Sequence, residues 1–120
     1  GLGDVYKRQE VLSRVPVPGP HVFLVAILGD KPWSEMLGPL QDAGKHVVLT
    51  IAPSSPMDRR WNVADALDAS PSENTEALQN FGDAIRRARE LAGPGTVIVT
   101  GSVHTVGDAR AFLENANERE

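Results

Sequence analysis

Three short runs limit what this chain can fold into: residues 21–28 (HVFLVAIL), 46–51 (HVVLTI) and 96–99 (TVIV). Each is nearly continuous in apolar and β-branched residues instead of alternating, as a strand covered on both faces requires. Helical spacing lies between and beyond them. Trp33, Met36, Leu37 and Leu40 follow the first run, Phe81, Ile85, Ala88 and Ala92 precede the third, and Val106, Ala109, Leu113 and Ala116 follow it. Strands separated by helical segments predict an α/β fold, a mainly parallel sheet with helices on its faces and helical crossovers. A chain of 120 residues holds one such domain.

Local signals refine this outline. Ser34 is expected to cap the first helix, and Pro39 argues against an unbroken one because it removes a donor and crowds the preceding turn. Asn62 is expected to cap a helix beginning near Val63, with Asp65 in its first turn. Residues 76–81 (EALQNF) read equally as a short strand or as the approach to a helix. The helix carrying Phe81 to Ala92 stops at Gly93-Pro94-Gly95. In the last unit, Gly101 is expected to make a tight turn and Ser102 or Thr105 to cap the helix.

Residues 1–9 (GLGDVYKRQ) share no period with the rest of the chain. The string resembles translated adaptor sequence and is read as a non-native leader without a role. Residues 10–20, with Pro16, Pro18 and Pro20, are expected to be a linker or a residual edge segment. The domain proper is read as residues 21–116, and residues 117–120 as a frayed tail.

Composition excludes several classes. With formal net charge −4 and no basic stripe, the chain does not read as a nucleic-acid binder. Arg86, Arg87 and Arg89 fall on the polar side of a helix, as a solvated face. No cysteine is present, so disulfides and thiolate metal sites are excluded. No run approaches the ~20 apolar residues of a membrane span, and no signal peptide is evident. A cytoplasmic location is the default expectation.

Open parallel sheets bind ligands beyond the carboxyl ends of their strands. Three clusters of chemistry fall there. Asp30 and Lys31 close the first run, where a lysine suits phosphate or carboxylate and an aspartate can orient it. The loop of residues 52–61 (APSSPMDRRW) ends on Arg59 and Arg60, whose planar guanidinium groups suit the same anions. Adjacent arginines seldom reach one ligand together, and Trp61 beside them reads as an anchor for the loop. Ser102 and His104 follow the last strand. Their convergence on one side of the sheet is stronger evidence for a site than any one of them.

Familiar motifs are missing. No glycine-rich lysine loop and no dinucleotide fingerprint occur, and the three histidines lie in unlike settings, so no metal site is expected. A Ser102–His104–Asp108 triad can be composed, but no nucleophile elbow supports hydrolysis.

Taken in order, VAILGDKPWSEMLGPL, HVVLTIAPSSPMDRRW and ARELAGPGTVIVTGSVHTVGDAR resemble the C-terminal domain of bifunctional folylpolyglutamate synthase/dihydrofolate synthase, within the Mur ligase family. The resemblance runs from about Val22 to Leu113. It rests on the spacing of Asp30-Lys31, Arg59-Arg60-Trp61, Thr100-Gly101-Ser102 and Val106-Gly107.

The resemblance implies a Rossmann-like Mur ligase C-terminal domain, and an ATP-dependent ligase that adds L-glutamate to dihydropteroate or folate through an acyl phosphate, with ATP and Mg2+ bound by the complete enzyme. It implies that Lys31 faces the anionic reaction centre with Asp30 orienting it. It further implies that Ser102 and His104 contact the incoming glutamate or shape its pocket, and that Arg59 or Arg60 lies near the cleft. The family's aspartate-glycine-alanine-histidine-asparagine-proline segment is absent, as is the N-terminal ATPase domain that would be the partner in cis. This stretch alone is therefore expected to be inactive and to bind no cofactor tightly. Two alternatives stand beside this reading: a Mur-type ligase domain for another amino acid, and a free-standing, non-catalytic α/β binding domain.

Overall fold

The computed structural model describes residues 5–6 and 17–119. The expectations placed on residues 10–16 lie outside the described residues. Five parallel strands form one sheet: β1 (Val5–Tyr6), β2 (His21–Ala26), β3 (His46–Leu49), β4 (Thr75–Ala77) and β5 (Thr96–Gly101). Their spatial order is β1-β5-β2-β3-β4. Four α-helices complete the fold as described: α1 (Trp33–Ala43), α2 (Val63–Ala69), α3 (Phe81–Ala92) and α4 (Val103–Arg119). A 3-10 turn, Met57–Arg59, lies in the long loop after β3.

The continuous apolar runs are accounted for by two cores. Val22, Leu24, Val48, Val97 and Val99 point to one face and pack beneath α3 and α4 through Ala84, Ile85, Ala88 and Ala109. Phe23, Val25, Val47, Leu49 and Ile98 point to the other, beneath α1 and α2 through Leu37, Leu40, Val63 and Ala66. Alternate residues of each strand thus enter opposite cores, and polar residues find no place in the middle of the strand. The expected α/β sheet flanked by helices is the one formed.

Connectivity then fixes where a site belongs. From β2 the chain steps outward to β3 and β4, and returns over β2 to add β5 on its other side. Ala26 and Gly101 are register partners at adjacent carboxyl ends, and their loops lead to helices on opposite faces. Such a reversal opens the crevice in which α/β sheets hold ligands.

Several local expectations change. The first strand ends at Ala26, and Ile27 and Leu28 are buried in the loop beyond it. Helix α1 is capped at Pro32 without a side-chain hydrogen bond, so Ser34 is not its cap. Pro39 lies inside α1 on its exposed side, where water can satisfy the carbonyl that loses a partner. Residues 76–81 divide between the two readings, with Thr75–Ala77 as a strand and Asn80 accepting from the Asp83 amide to cap α3. Asn62 caps α2 as expected. Val5 and Tyr6, in the stretch expected to have no role, pair with Val97 and Ile98 at the sheet edge. The tail expected to fray continues α4 to Arg119.

Candidate functional site

Beyond the carboxyl ends of β2 and β3, two loops are joined along a seam. The Gly29 amide donates to the Arg59 carbonyl at 2.7 Å, and Leu28 forms an isolated antiparallel bridge with Arg60. Asp30 accepts two hydrogen bonds from Arg59, at 3.0 Å from Nε and 3.4 Å from Nη2. A Cβ at Gly29 would lie 3.2 Å from the Arg60 carbonyl oxygen, so glycine permits the close approach. The hydrogen bond from Arg59 holds the Asp30 carboxyl below its usual value, with the Coulombic attraction of the same guanidinium adding to it.

Residues 59–61 spread their side chains in three directions. Arg59 crosses to the β2 loop. Arg60 turns back into its own loop and donates to the carbonyls of Ser55 at 3.1 Å and Pro53 at 2.6 Å. Trp61 is 4% exposed and donates from Nε1 to the Thr50 carbonyl at 2.7 Å. Its ring meets Trp33 of α1 edge to face, 6.1 Å between centroids. The expected anchoring role of Trp61 is thus visible in its contacts. The Ser55 hydroxyl donates to the Ala52 carbonyl within the same loop, a contact that no feature of the sequence singles out.

The third strand end is tied to the first by a buried hydroxyl. Thr105 Oγ1 donates to the Ala26 carbonyl at 2.8 Å and lies 3.4 Å from Ser102 Oγ. Gly101 has φ +147°, and a Cβ there would stand 2.0 Å from the Ala26 oxygen. The Ser102 carbonyl accepts the first helical bonds of α4, from Thr105 and Val106. Asp108 accepts from the Ser54 amide at 2.9 Å, joining α4 to the β3 loop. Among the described residues the His104 side chain has no hydrogen-bond partner, so the composed triad is not connected.

Ser102 and Arg60 therefore line one shallow dent, too tight to hold a water molecule as it stands, with Ser55, Trp61, Ala26 and Leu28 also in its wall. Lys31 stands exposed on the β2 loop, its charge felt by the neighbouring Asp30 carboxylate. His104 is half-buried in the first turn of α4 and outside this wall. A larger groove of about 600 Å³ lies elsewhere, between α3 and α4, and none of the predicted site residues borders it. The smaller dent is the better candidate because the three loops converge there. Among the described residues no group of three carboxylates, histidines or cysteines is placed to hold a metal ion, so the magnesium implied by resemblance finds no ligand set in them. Two cations at these strand ends, Lys31 and Arg60, are not part of the Arg59–Asp30 ion pair, and their charge type suits the phosphate oxygens of a nucleotide.

Solved structures from three organisms illustrate what this chain is similar to. Mycobacterium tuberculosis folylpolyglutamate synthase, complexed with ADP and AMPPCP, is 30% identical over 76% of this chain, with a TM-score of 0.63. The bifunctional folylpolyglutamate synthase/dihydrofolate synthase of Yersinia pestis, complexed with AMPPNP and a manganese ion, is 25% identical over 80% of the chain, with a TM-score of 0.66. E. coli FolC in complex with ADP superposes over 92% at 13% identity, with a TM-score of 0.69, a likeness of fold alone. This is the Mur ligase C-terminal domain fold. The chain is structurally homologous to these synthases and spans about a quarter of them, 23%, 22% and 26% of the three chains. No family model and no curated protein matches it. Among the described residues no helix is long and apolar enough to cross a membrane.

Proposed function

We propose that this chain is the C-terminal domain of an ATP-dependent carboxylate–amine ligase, one that adds L-glutamate to dihydropteroate or folate. The observation that carries the reading is the 30% identity to a folylpolyglutamate synthase over 76% of the chain. Its support is that Arg60 and Ser102 share one wall beyond the strand ends, while Arg59 and Asp30 join the loop carrying Lys31 to the loop after β3.

ATP, when bound, supplies the phosphoryl group that converts the substrate carboxylate to an acyl phosphate. The amino nitrogen of glutamate then attacks the carbonyl carbon, the bond to phosphate breaks, and the nitrogen loses a proton. On this chain, Lys31 is assigned to the anionic reaction centre, where its mobile ammonium follows charge moving onto the departing phosphate. Asp30 and Arg59 hold the loop that carries Lys31. Ser102 and His104 are assigned to the pocket of the incoming amino acid. A domain that closes over a second domain excludes water from the acyl phosphate, and the stretch alone is proposed to be inactive.

The test begins with the uninterrupted coding sequence upstream of residue 10. A glycine-rich lysine loop encoded there supports the ligase. In the corresponding full-length protein, Lys31→Ala should lower glutamate-dependent phosphate release by about a hundredfold. Release that is unchanged by the substitution, or that does not depend on glutamate, would overturn the reading.

A further inference from the structure

The peptide unit that joins Pro53 to Ser54 is gripped at both ends. Its carbonyl accepts from Arg60 Nη2 at 2.6 Å, and its N–H donates to Asp108 Oδ2 at 2.9 Å. In a trans peptide these two groups point in opposite directions, so the guanidinium and the carboxylate lie on opposite sides of it. The peptide is a dipole, negative at the oxygen and positive at the hydrogen. A cation stands at the first end and an anion at the second. Both bonds are charge-assisted, the stronger kind. Arg60 adds a bond from Nε to the Ser55 carbonyl at 3.1 Å, which fixes the plane of its guanidinium.

The two ends of this clamp belong to different parts of the fold. Arg60 lies in the loop after β3, whereas Asp108 belongs to α4, the helix that starts beside Ser102. Ser102 and Arg60 share one wall beyond the strand ends. Ser54 is exposed, so water would satisfy its amide equally well. What the Asp108 carboxylate adds is a fixed place for the loop against α4. The same loop is held to the β2 loop by Arg59 and Asp30, so each of its two neighbours has its own tie.

We infer that Asp108 is a positioning residue of the candidate site: through the Pro53–Ser54 peptide it sets where the loop carrying Arg60 stands relative to Ser102 and the start of α4. The geometry carries this role by itself, and its kinetic consequence rests on the ligase reading.

Exchange of the Ser54 amide with water is measured by NMR in the nitrogen-15-labelled 120-residue chain, as wild type, Asp108→Asn and Asp108→Ala. Asp108→Ala should speed that exchange at least about fivefold. Asp108→Asn, whose side-chain oxygen still accepts, should restore most of the protection. Unchanged Trp61 emission reports that each variant is folded and that the loop keeps its anchor at Thr50. In the full-length ligase, Asp108→Ala should raise the KM for L-glutamate at least about threefold with kcat within about twofold, because binding must then select the placed loop from a wider population. Asp108→Asn should return KM toward the wild-type value. Equal Ser54 exchange in wild type and Asp108→Ala, or an asparagine variant no better than the alanine one, would overturn the role. Faster exchange beside an unchanged KM would also overturn it, since the bond would then serve the fold alone. A wild-type enzyme whose phosphate release ignores glutamate overturns the ligase reading instead, and the exchange result then decides the clamp.

Discussion

Arg59 and Asp30 join the loop after β3 to the loop after β2 by a bidentate ion pair, beside a backbone bond from Gly29 to Arg59. The pair is the exposed end of a seam whose inner end is the buried Trp61. It ties two separate strand ends together.

The pH response of that seam is set by the Asp30 carboxyl. Its native value is lowered from 3.8 by Arg59, so the carboxylate form is favoured by folding. The contribution is therefore complete above the unfolded value of about 3.8 and is lost as pH falls through the lower native one. Asp30→Asn should reduce the thermal midpoint slightly at neutral pH, and wild type and variant should converge at acid pH, below the lowered native value. A variant that differs equally from wild type at both pH values would show that the charge is not the cause. Because both side chains are exposed to water, the effect is small.

At the inner end the cost is larger. Trp61→Phe keeps most of the ring but leaves the Thr50 carbonyl without the indole donor. Removing one partner from a buried pair costs about 1–3 kcal/mol, and the lost edge contact with Trp33 adds to it. Urea unfolding followed by circular dichroism should show that decrease. A change below about 0.5 kcal/mol would mean that water replaces the indole there.

The sheet was legible because burial on both faces leaves an unambiguous mark: three continuous apolar runs became β2, β3 and β5. The three-residue β4 was not, since Glu76 and Ala77 carry no strand pattern and are held there by pairing with Val48 and Leu49. Candidate residues were legible as chemical types placed at strand ends. Their partners were not. Asp30 stands next to Lys31 in sequence yet bonds to Arg59, 29 positions away. Asp108 reaches Ser54 across 54 positions, and the split between Arg59 and Arg60 arises from the conformation of the loop around them.

Pro39 illustrates the limit of a local rule. A proline in a helix interior is unfavourable by about 3 kcal/mol relative to alanine, yet α1 passes through it because Leu37 and Leu40 are buried against the sheet. Tertiary burial outweighs the local penalty. Pro39→Ala restores a backbone donor to the Glu35 carbonyl and relieves the crowding. Against this stands the greater freedom of the unfolded alanine chain. A net gain of about 1 kcal/mol is expected in urea unfolding. A loss would indicate that α1 is bent at Pro39 to fit the sheet and that straightening it disturbs the packing of Leu40.

Gly101 offers the sharpest test of how the sheet end is built. Its φ of +147° is closed to ordinary side chains, and an added Cβ would stand 2.0 Å from the Ala26 oxygen and 2.8 Å from Thr105 Oγ1. The first obstacle is backbone in the middle of the sheet and cannot give way. The second is the hydroxyl that ties α4 to β2. Gly101→Ala should therefore destabilise the chain by at least about 2 kcal/mol, since strain and the loss of a buried hydrogen bond act together. Gly107→Ala, on α4 with nothing within 4 Å of the added carbon, serves as the control and should be neutral or stabilising by up to about 1 kcal/mol. Equal effects from the two substitutions in urea unfolding would show that the close contact of β5 with the Ala26 carbonyl is not what holds the end of the sheet. A large difference would show that the end of the sheet closes on the Ala26 carbonyl because position 101 carries no side chain.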